Sequence, residues 1–307
     1  MKYLQPFSCA DEAYHHTISR VLETGDDRGD RTDTGTRSVF GHNFEIDVSG
    51  STVAVVSLKK TNYRDAIAEL IWMLSGSNSL VPLIEQGIHI WTDWPLKNYR
   101  IKTGENVSRD EFEARILGDT KFAAEWGTIS PCYGTEMRAF ESRGGETLDQ
   151  MQMLVDEIKT NPESRRLVWS LWRPEFINCQ GGTGLPPCHF NGAVSIRNDT
   201  ISLKLHLRSS DLGLGLSYNI AQYSYFLYLL SVISGYPQGK LIVDIDDCHI
   251  YANHVEKISE VLDREARPDP KIIWNRKPAS LDDNLALSDF EVAGYKPQGL
   301  IRLPVAV

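Results

Sequence analysis

Apolar residues recur at helical spacing over residues 11–24, where Tyr14, Ile18, Val21 and Leu22 make one stripe and Gly25 follows as a stop signal. Residues 37–47 alternate between apolar and polar and predict a strand, and residues 52–58 predict another. Ala66, Ile67, Leu70, Ile71 and Leu74 stripe a helix predicted over 63–75 and leave Glu69 beside that stripe, where a carboxylate ordinarily turns to solvent. A short helix is expected over 80–86. Residues 97–125 become charged and lose apolar periodicity over long runs, which reads as a surface insertion. Helical spacing resumes over 146–160 and stops at Asn161-Pro162. Residues 165–172 read as a strand opened by Arg165 and Arg166. Side chains alternate faces along a strand, so two adjacent arginines meet one anion only near its end or across an interface. Further strands are expected at 190–196, 201–207, 240–246 and 271–275. The apolar run 219–234 is too continuous for a surface helix and predicts a buried central one.

Chemistry concentrates between residues 185 and 219. Pro186 and Pro187 fix the backbone ahead of Cys188, so its sulfur is presented from a rigid position. A thiolate is the attacking form, and a nearby arginine such as Arg208 lowers a thiol pKa. The plainer reading of a lone cysteine is a small buried hydrophobe; here His189, Arg208, Ser209, Ser210, Asp211 and Asn219 follow within about one hairpin and argue for a nucleophile beside an anion site. The loop Asp27–Thr36 carries two more arginines and reads either as a solvated turn or as a loop closing an arginine on a phosphate. Trp91 and Trp94 are explained by core packing or as walls for a flat heterocycle.

A net charge of −9 argues against a general nucleic-acid surface but leaves room for a small anionic substrate held by clustered arginines. No apolar run reaches membrane-spanning length, and the start Met-Lys-Tyr-Leu-Gln-Pro lacks a signal-peptide core, so cytoplasm is the expected compartment. The five cysteines form no CxxC pair, which points to reduced thiols. A zinc site from Cys179, Cys188-His189 and Cys248-His249 fits no usual spacing, so no metal is expected.

Taken together, the stretches Asp30–Thr36, Glu69-Leu70-Ile71-Trp72, Ile90–Trp94, Tyr133-Gly134, Ser164-Arg165-Arg166, Leu185–His189, Arg208–Asp211, Asn219-Ile220-Ala221, His249-Ile250-Tyr251 and Pro304–Val307 resemble the thymidylate synthase family, including its pyrimidine-nucleotide hydroxymethylase branch, over nearly the full length. The resemblance implies one α/β (α+β) domain over 1–307, with a large mixed, twisted sheet flanked by helices and paired back to back as a homodimer. It implies one-carbon transfer from 5,10-methylenetetrahydrofolate to C5 of a pyrimidine deoxynucleotide, with Cys188 adding at C6. Glu69 then organises proton transfer, Tyr133 helps remove the C5 proton, and His189 and Asp211 complete the catalytic set. Arg31 and Arg208, joined by Arg165 and Arg166 of the second copy, hold the phosphate with Ser209. His249 and Tyr251 hold the sugar 3′-hydroxyl. Asn219 reads the O4 and N3–H edge of uracil, where the cytosine-specific branch carries an aspartate. Trp91, Trp94, Asp211, Gly215, Tyr218, Val305, Ala306 and Val307 surround the folate. Small molecules and a second copy are the expected partners, with no membrane or stable nucleic-acid partner.

Several positions depart from the methylating pattern. Asp33 stands where glycine is usual, Leu207 where glutamine is, Ser210 where cysteine is, and Arg173 where Trp-Asn-Pro is usual; Tyr-Gly-x-Gln-Trp-Arg reads Tyr133-Gly134-Thr135-Glu136-Met137-Arg138. Leu207 ahead of Arg208-Ser209, Arg173-Pro174 in place of Asn-Pro, and the loss of the aromatic after Tyr133-Gly134 resemble the hydroxymethylase branch, where water rather than hydride captures the shared intermediate. The expectation is therefore hydroxymethylation of dUMP, with reductive methylation to dTMP as the alternative and dCMP hydroxymethylation or a silent nucleotide-binding homologue behind it. A cysteine hydrolase is disfavoured because adjacent residues such as Cys188 and His189 rarely aim at one another.

Overall fold

Helix α1 (Ala10–Thr24) forms where the periodicity places it and buries Ala13, Tyr14, Ile18 and Val21. The computed structural model describes residues 6–30, 33–130, 132–178 and 186–304. Their described residues divide into two compact units, one from 1–67, 154–168 and 188–307, the other from 68–153 and 169–187.

The six-stranded sheet has the order β1 (Asp26–Arg28), β2 (Thr36–Asp47), β8 (Gln238–Tyr251), β7 (Thr200–Asp211), β6 (His189–Arg197), β5 (Val168–Ser170), and all of it but Trp169 and Ser170 of β5 belongs to the first unit. β2 runs antiparallel to β8, β8 parallel to β7, and β7 antiparallel to β6, so the sheet is mixed as expected. β6 turns into β7 through Asn198 and Asp199, both at positive φ (49° and 55°), the conformation a two-residue hairpin of right-twisted strands requires. The parallel pair needs a crossover, and helix α9 (Gly215–Ser234) supplies it. α9 is buried along most of its length, with Leu216, Ile220, Tyr223, Phe226 and Leu230 among its core residues, which explains its continuous apolar run. Leu203, Leu205 and Leu207 of β7 and Leu241, Val243 and Ile245 of β8 are also buried. Alternate residues on the strands instead form the ion pairs Lys204–Asp244 (2.7 Å) and Lys240–Glu45 (2.9 Å). α10 (Val255–Ile258) and the hairpin β9 (Lys271–Trp274) with β10 (Phe290–Ala293) complete this unit.

Residues 52–58 do not form the expected strand. They are buried, with Ser57 and Leu58 already in a turn, and side chains satisfy much of their backbone: the Ser57 and Leu58 amides donate to Asp11 (2.6 and 3.1 Å), the Val55 amide to Asp269 (3.0 Å) and the Ala54 amide to Ser224 (2.7 Å). A short apolar run marks a buried segment equally well whether its partners are a ladder or carboxylates. Asp269 also accepts from the Ala10 amide (2.9 Å) at the start of α1. Its burial, with Asp11 nearby, pushes its carboxyl up to about 7.

Helix α2 (Tyr63–Leu74) leads into the second unit, which contains α3 (Val81–Ile84), α4 (Asp93–Thr103), α5 (Arg109–Gly118), α6 (Thr120–Trp126), α7 (Tyr133–Arg138) and the hairpin β3 (Phe140–Glu141) with β4 (Thr147–Leu148). α8 (Gln150–Thr160) leads back to the first unit; it starts later than expected because residues 147–148 are strand. The charged segment 97–125 is helical rather than loop-like. Tyr99, Phe112, Phe122 and Trp126 cluster with ring centres 4.9–5.6 Å apart, and the Arg115 guanidinium lies 4.2 Å from the Phe122 ring centre. Few apolar residues are needed when they are this large, which is why periodicity missed them.

Candidate active site

The β6–β7 hairpin brings together residues twenty apart. The Arg208 amide donates to the Cys188 carbonyl (2.9 Å), and the Arg208 guanidinium lies 3.6 Å from the Cys188 sulfur, which is partly exposed. A fixed positive charge at that distance stabilises a thiolate against a thiol. Beyond Arg208 the parallel register takes over, setting Ser209 beside Asp247 and Asp211 beside His249. Ser209, Asp247, His249 and Tyr251 line a cavity of about 240 Å³, closed on its other side by Arg28, Gly29, Asp30 and Thr36. Three residues expected at a sugar-phosphate site thus share one cavity at the C-terminal ends of parallel strands, a usual position for ligands in such sheets. Arg28 and Asp247 are lining residues that the motifs did not single out.

Past β7 the chain turns into α9. The Asp211 carboxylate accepts from the Gly213 and Leu214 amides (2.8 and 3.2 Å), which orients it just ahead of Gly215. His254, fully buried, lies with Nδ1 3.7 Å from Asp211 and with Nε2 2.7 Å from the Pro304 carbonyl. Burial lowers the His254 pKa, but its Asp211 and Pro304 partners outweigh that and hold it above the ordinary value. Lys59, another residue absent from the sequence-based set, is buried with its ammonium 3.0 Å from the Ser217 hydroxyl; burial brings its pKa down to about 8, against the pull of Asp211. Asn219 and Tyr218 are half-buried on the first turns of α9, and the Asn219 amide donates to Gln222 (3.1 Å). His189 is buried against the Tyr223 hydroxyl (2.7 Å), and burial depresses its pKa to about 3, so its ring is neutral at physiological pH.

The second unit holds the other predicted groups. Glu69 is buried rather than solvent-facing, and its carboxylate accepts from the Trp91 indole (2.6 Å). The Trp91 ring centre lies 5.4 Å from Trp94, 5.9 Å from Tyr133 and 6.4 Å from Trp72, so one indole touches both Glu69 and Tyr133. Tyr133 opens α7, and Gly134 follows because no side chain fits: a Cβ there would lie 2.7 Å from the Ser77 carbonyl and 3.0 Å from that of Met73. Arg138, at the other end of α7, donates to the Leu74 carbonyl and to Asp149 (2.8 Å each), seating α7 on the end of the helix that carries Glu69.

Arg165 and Arg166 are exposed in a turn that precedes β5, which starts at Val168 and is shorter than expected. Arg31 and the Val305–Val307 tail lie outside the described residues. Among the described residues, no group of three His, Cys, Asp or Glu side chains is placed to hold a metal ion.

A family model for thymidylate synthase matches residues 12–307. The chain is also similar to proteins named thymidylate synthase: 38% identical over 299 residues to one from Zymomonas mobilis (97% of this chain, all of the relative), and 39% over 308 residues to one from Rhizorhabdus wittichii (97% and 98%). The chain belongs to the thymidylate synthase family. These relatives carry the methylating enzyme's name, so the comparisons favour methylation over the expected hydroxymethylation.

All but one of the departures from the thymidylate synthase pattern have structural explanations. Glu136 and Arg173 answer each other across 2.7 Å, both largely buried; the guanidinium also lies 4.1 Å from the Phe140 ring centre. Burial raises the Glu136 pKa against the opposing pull of Arg173. Met137 and Leu207 fill core positions at 1% and 0% exposure, so neither opens a water path. Asp33 adopts φ 58°, the left-handed conformation a glycine would take and that aspartate tolerates. Ser210 is buried, and nothing in the structure explains its hydroxyl.

Proposed function

We propose that the chain is a thymidylate synthase, converting dUMP to dTMP by one-carbon transfer to C5. Membership of the family makes it a one-carbon transferase whose co-substrate is 5,10-methylenetetrahydrofolate. The observation that carries the reading is Cys188 held 3.6 Å from the Arg208 guanidinium, next in sequence to a serine of the sugar-phosphate cavity. The thiolate adds to C6 of uracil, leaving C5 nucleophilic. Glu69, fixed by Trp91, mediates proton transfer toward the ring carbonyl, and Tyr133 helps take the C5 proton. Asn219 matches the O4 and N3–H edge of uracil, His249 and Tyr251 bind the 3′-hydroxyl, and Ser209 with Arg208 and Arg31 binds the phosphate. His189, neutral and hydrogen-bonded to Tyr223, supports the strand behind Cys188.

Half-exposed indoles at Trp91 and Trp94 and the oriented Asp211 carboxylate suit a flat pterin with adjacent N–H donors, with Gly215, Tyr218 and the 305–307 tail as further folate contacts. The folate supplies the one-carbon unit and the hydride. Arg165 and Arg166 complete the phosphate site of a second copy in a homodimer, and both units serve one catalytic domain in the cytoplasm.

Product mass after incubation with dUMP and methylenetetrahydrofolate, with absorbance followed for dihydrofolate, tests this reading. A methyl product with stoichiometric dihydrofolate is expected. A hydroxymethyl product without dihydrofolate would return the departures to a water-admitting role. Asn219→Asp should shift kcat/KM from dUMP toward dCMP, and an unchanged ratio would remove Asn219 as the base reader.

A further inference from the structure

Glu113 is an unusual residue for its place. It lies on α5 beside Phe112 and Ile116, on the buried side of a helix otherwise rich in charge, and is itself only 5% exposed. Its carboxylate accepts from the Thr92 hydroxyl (2.5 Å), and both its oxygens face His89 Nδ1 (2.9 and 2.8 Å). A carboxylate is buried at substantial cost unless its acceptor sites are used, and these two partners use them. Thr92, 1% exposed, and His89 bracket a single turn, closed by the Thr92 amide on the His89 carbonyl (3.2 Å). That turn presents Trp91, whose indole N–H donates to Glu69.

We propose that Glu113 is a positioning residue for Glu69. It grips the His89–Thr92 turn at both ends and so fixes the Trp91 indole, which in turn holds the Glu69 carboxylate and packs on Tyr133. The aromatic cluster of Tyr99, Phe112, Phe122 and Trp126 anchors α5 and keeps the Glu113 carboxylate in place. Segment 97–125 thereby acts on the reaction without contributing a group to it. This rests on Glu69 being catalytic, the reading given above.

The test uses the whole chain, four single variants and one double variant. Glu113→Ala should lower kcat roughly 10- to 100-fold while KM for dUMP changes less than about threefold, because a displacement near 1 Å at a proton-transfer group acts on the chemical step. Glu113→Gln keeps an acceptor for Thr92 and should recover most of the activity; Thr92→Val should lose part of it. Trp91→Phe removes the indole donor, and if Glu113 works through Trp91 the double variant should fall no further than the poorer single one. Release of tritium from C5 of labelled dUMP should slow in parallel with product formation. Effects of Glu113→Ala and Trp91→Phe that multiply, or an unchanged kcat in Glu113→Ala, would overturn the proposal. Should Glu113→Ala fail to fold, Glu113→Gln and Thr92→Val carry the same comparison. A wild-type enzyme that forms no dTMP would instead remove the parent reading, a result visible before any variant is made.

Discussion

The two units hold their functional groups by different means. In the first, the backbone does it: the β7–β8 register sets Ser209 by Asp247 and Asp211 by His249, and the β6–β7 ladder sets Cys188 by Arg208. In the second, side chains do it: Trp91 on Glu69, Glu113 on Thr92 and His89, Glu136 on Arg173, and Arg138 on Asp149 and Leu74. A ladder spreads positional accuracy over many bonds, so removing one side chain removes that group's chemistry and little else. A helix placed by polar side-chain links concentrates accuracy in a few pairs, so removing one partner displaces its neighbours.

This contrast is open to attack at several points. The largest effect is expected in the sheet. Cys188→Ala should abolish turnover, by at least about 10⁴-fold, or more than roughly 5 kcal/mol of barrier, and should abolish covalent trapping of 5-fluoro-dUMP, with unchanged stability in urea. Trapping that survives would move the nucleophile elsewhere.

Next is Asp269, which serves a stretch of the first unit that a ladder does not hold. Its folded pKa of about 7 lies above its ordinary value of 3.8, so the folded state binds the extra proton. That contribution is fully present below pH about 4 and fades as pH rises through about 7, on the order of 4 kcal/mol in total. Melting curves of wild type and Asp269→Asn should therefore diverge over this window in favour of the variant; parallel curves would count against a carboxylate-held segment.

In the second unit, Arg173→Asn should cost about 2 kcal/mol at neutral pH by leaving Glu136 buried alone, and the Glu136→Gln/Arg173→Asn pair should regain most of it. Because Glu136 sits above its ordinary pKa, the deficit of the single variant should grow as pH rises through the carboxylate range. Additive losses would mean the pair is not coupled. The smallest effect is Asn198→Ala, expected to cost about 1 kcal/mol at a positive φ while kcat stays within twofold, since the flanking ladder keeps the register. A large loss of kcat there would blur the distinction between the units.

The sheet half was the more legible from sequence. Strand alternation, the apolar α9 run and the Cys188–Asn219 motifs placed their residues on adjoining elements, and Ser209, His249 and Tyr251 do share a cavity. The helical half was legible only in its catalytic names. Glu69 read as surface because local pattern cannot tell a buried acid from an exposed one until its partner, here Trp91, is known. Glu113 and Lys59 were not singled out for the same reason, and the segment 97–125 was misjudged because a few large aromatics build its core. The strand expected at 52–58 failed because its partners are Asp11, Ser224 and Asp269 side chains far away in sequence.

The Glu136–Arg173 contact also bears on how such a sequence can arise. If the family's usual glutamine and asparagine are the starting pair, a change to glutamate first strands a charge in a nearly closed site, whereas a change to arginine first leaves a cation that can still lie on Phe140 and donate to the Glu141 carbonyl. The order of substitution is then constrained, arginine preceding glutamate, and once both are present glutamate must revert before arginine can. Two departures that look independent therefore count as one ordered pair.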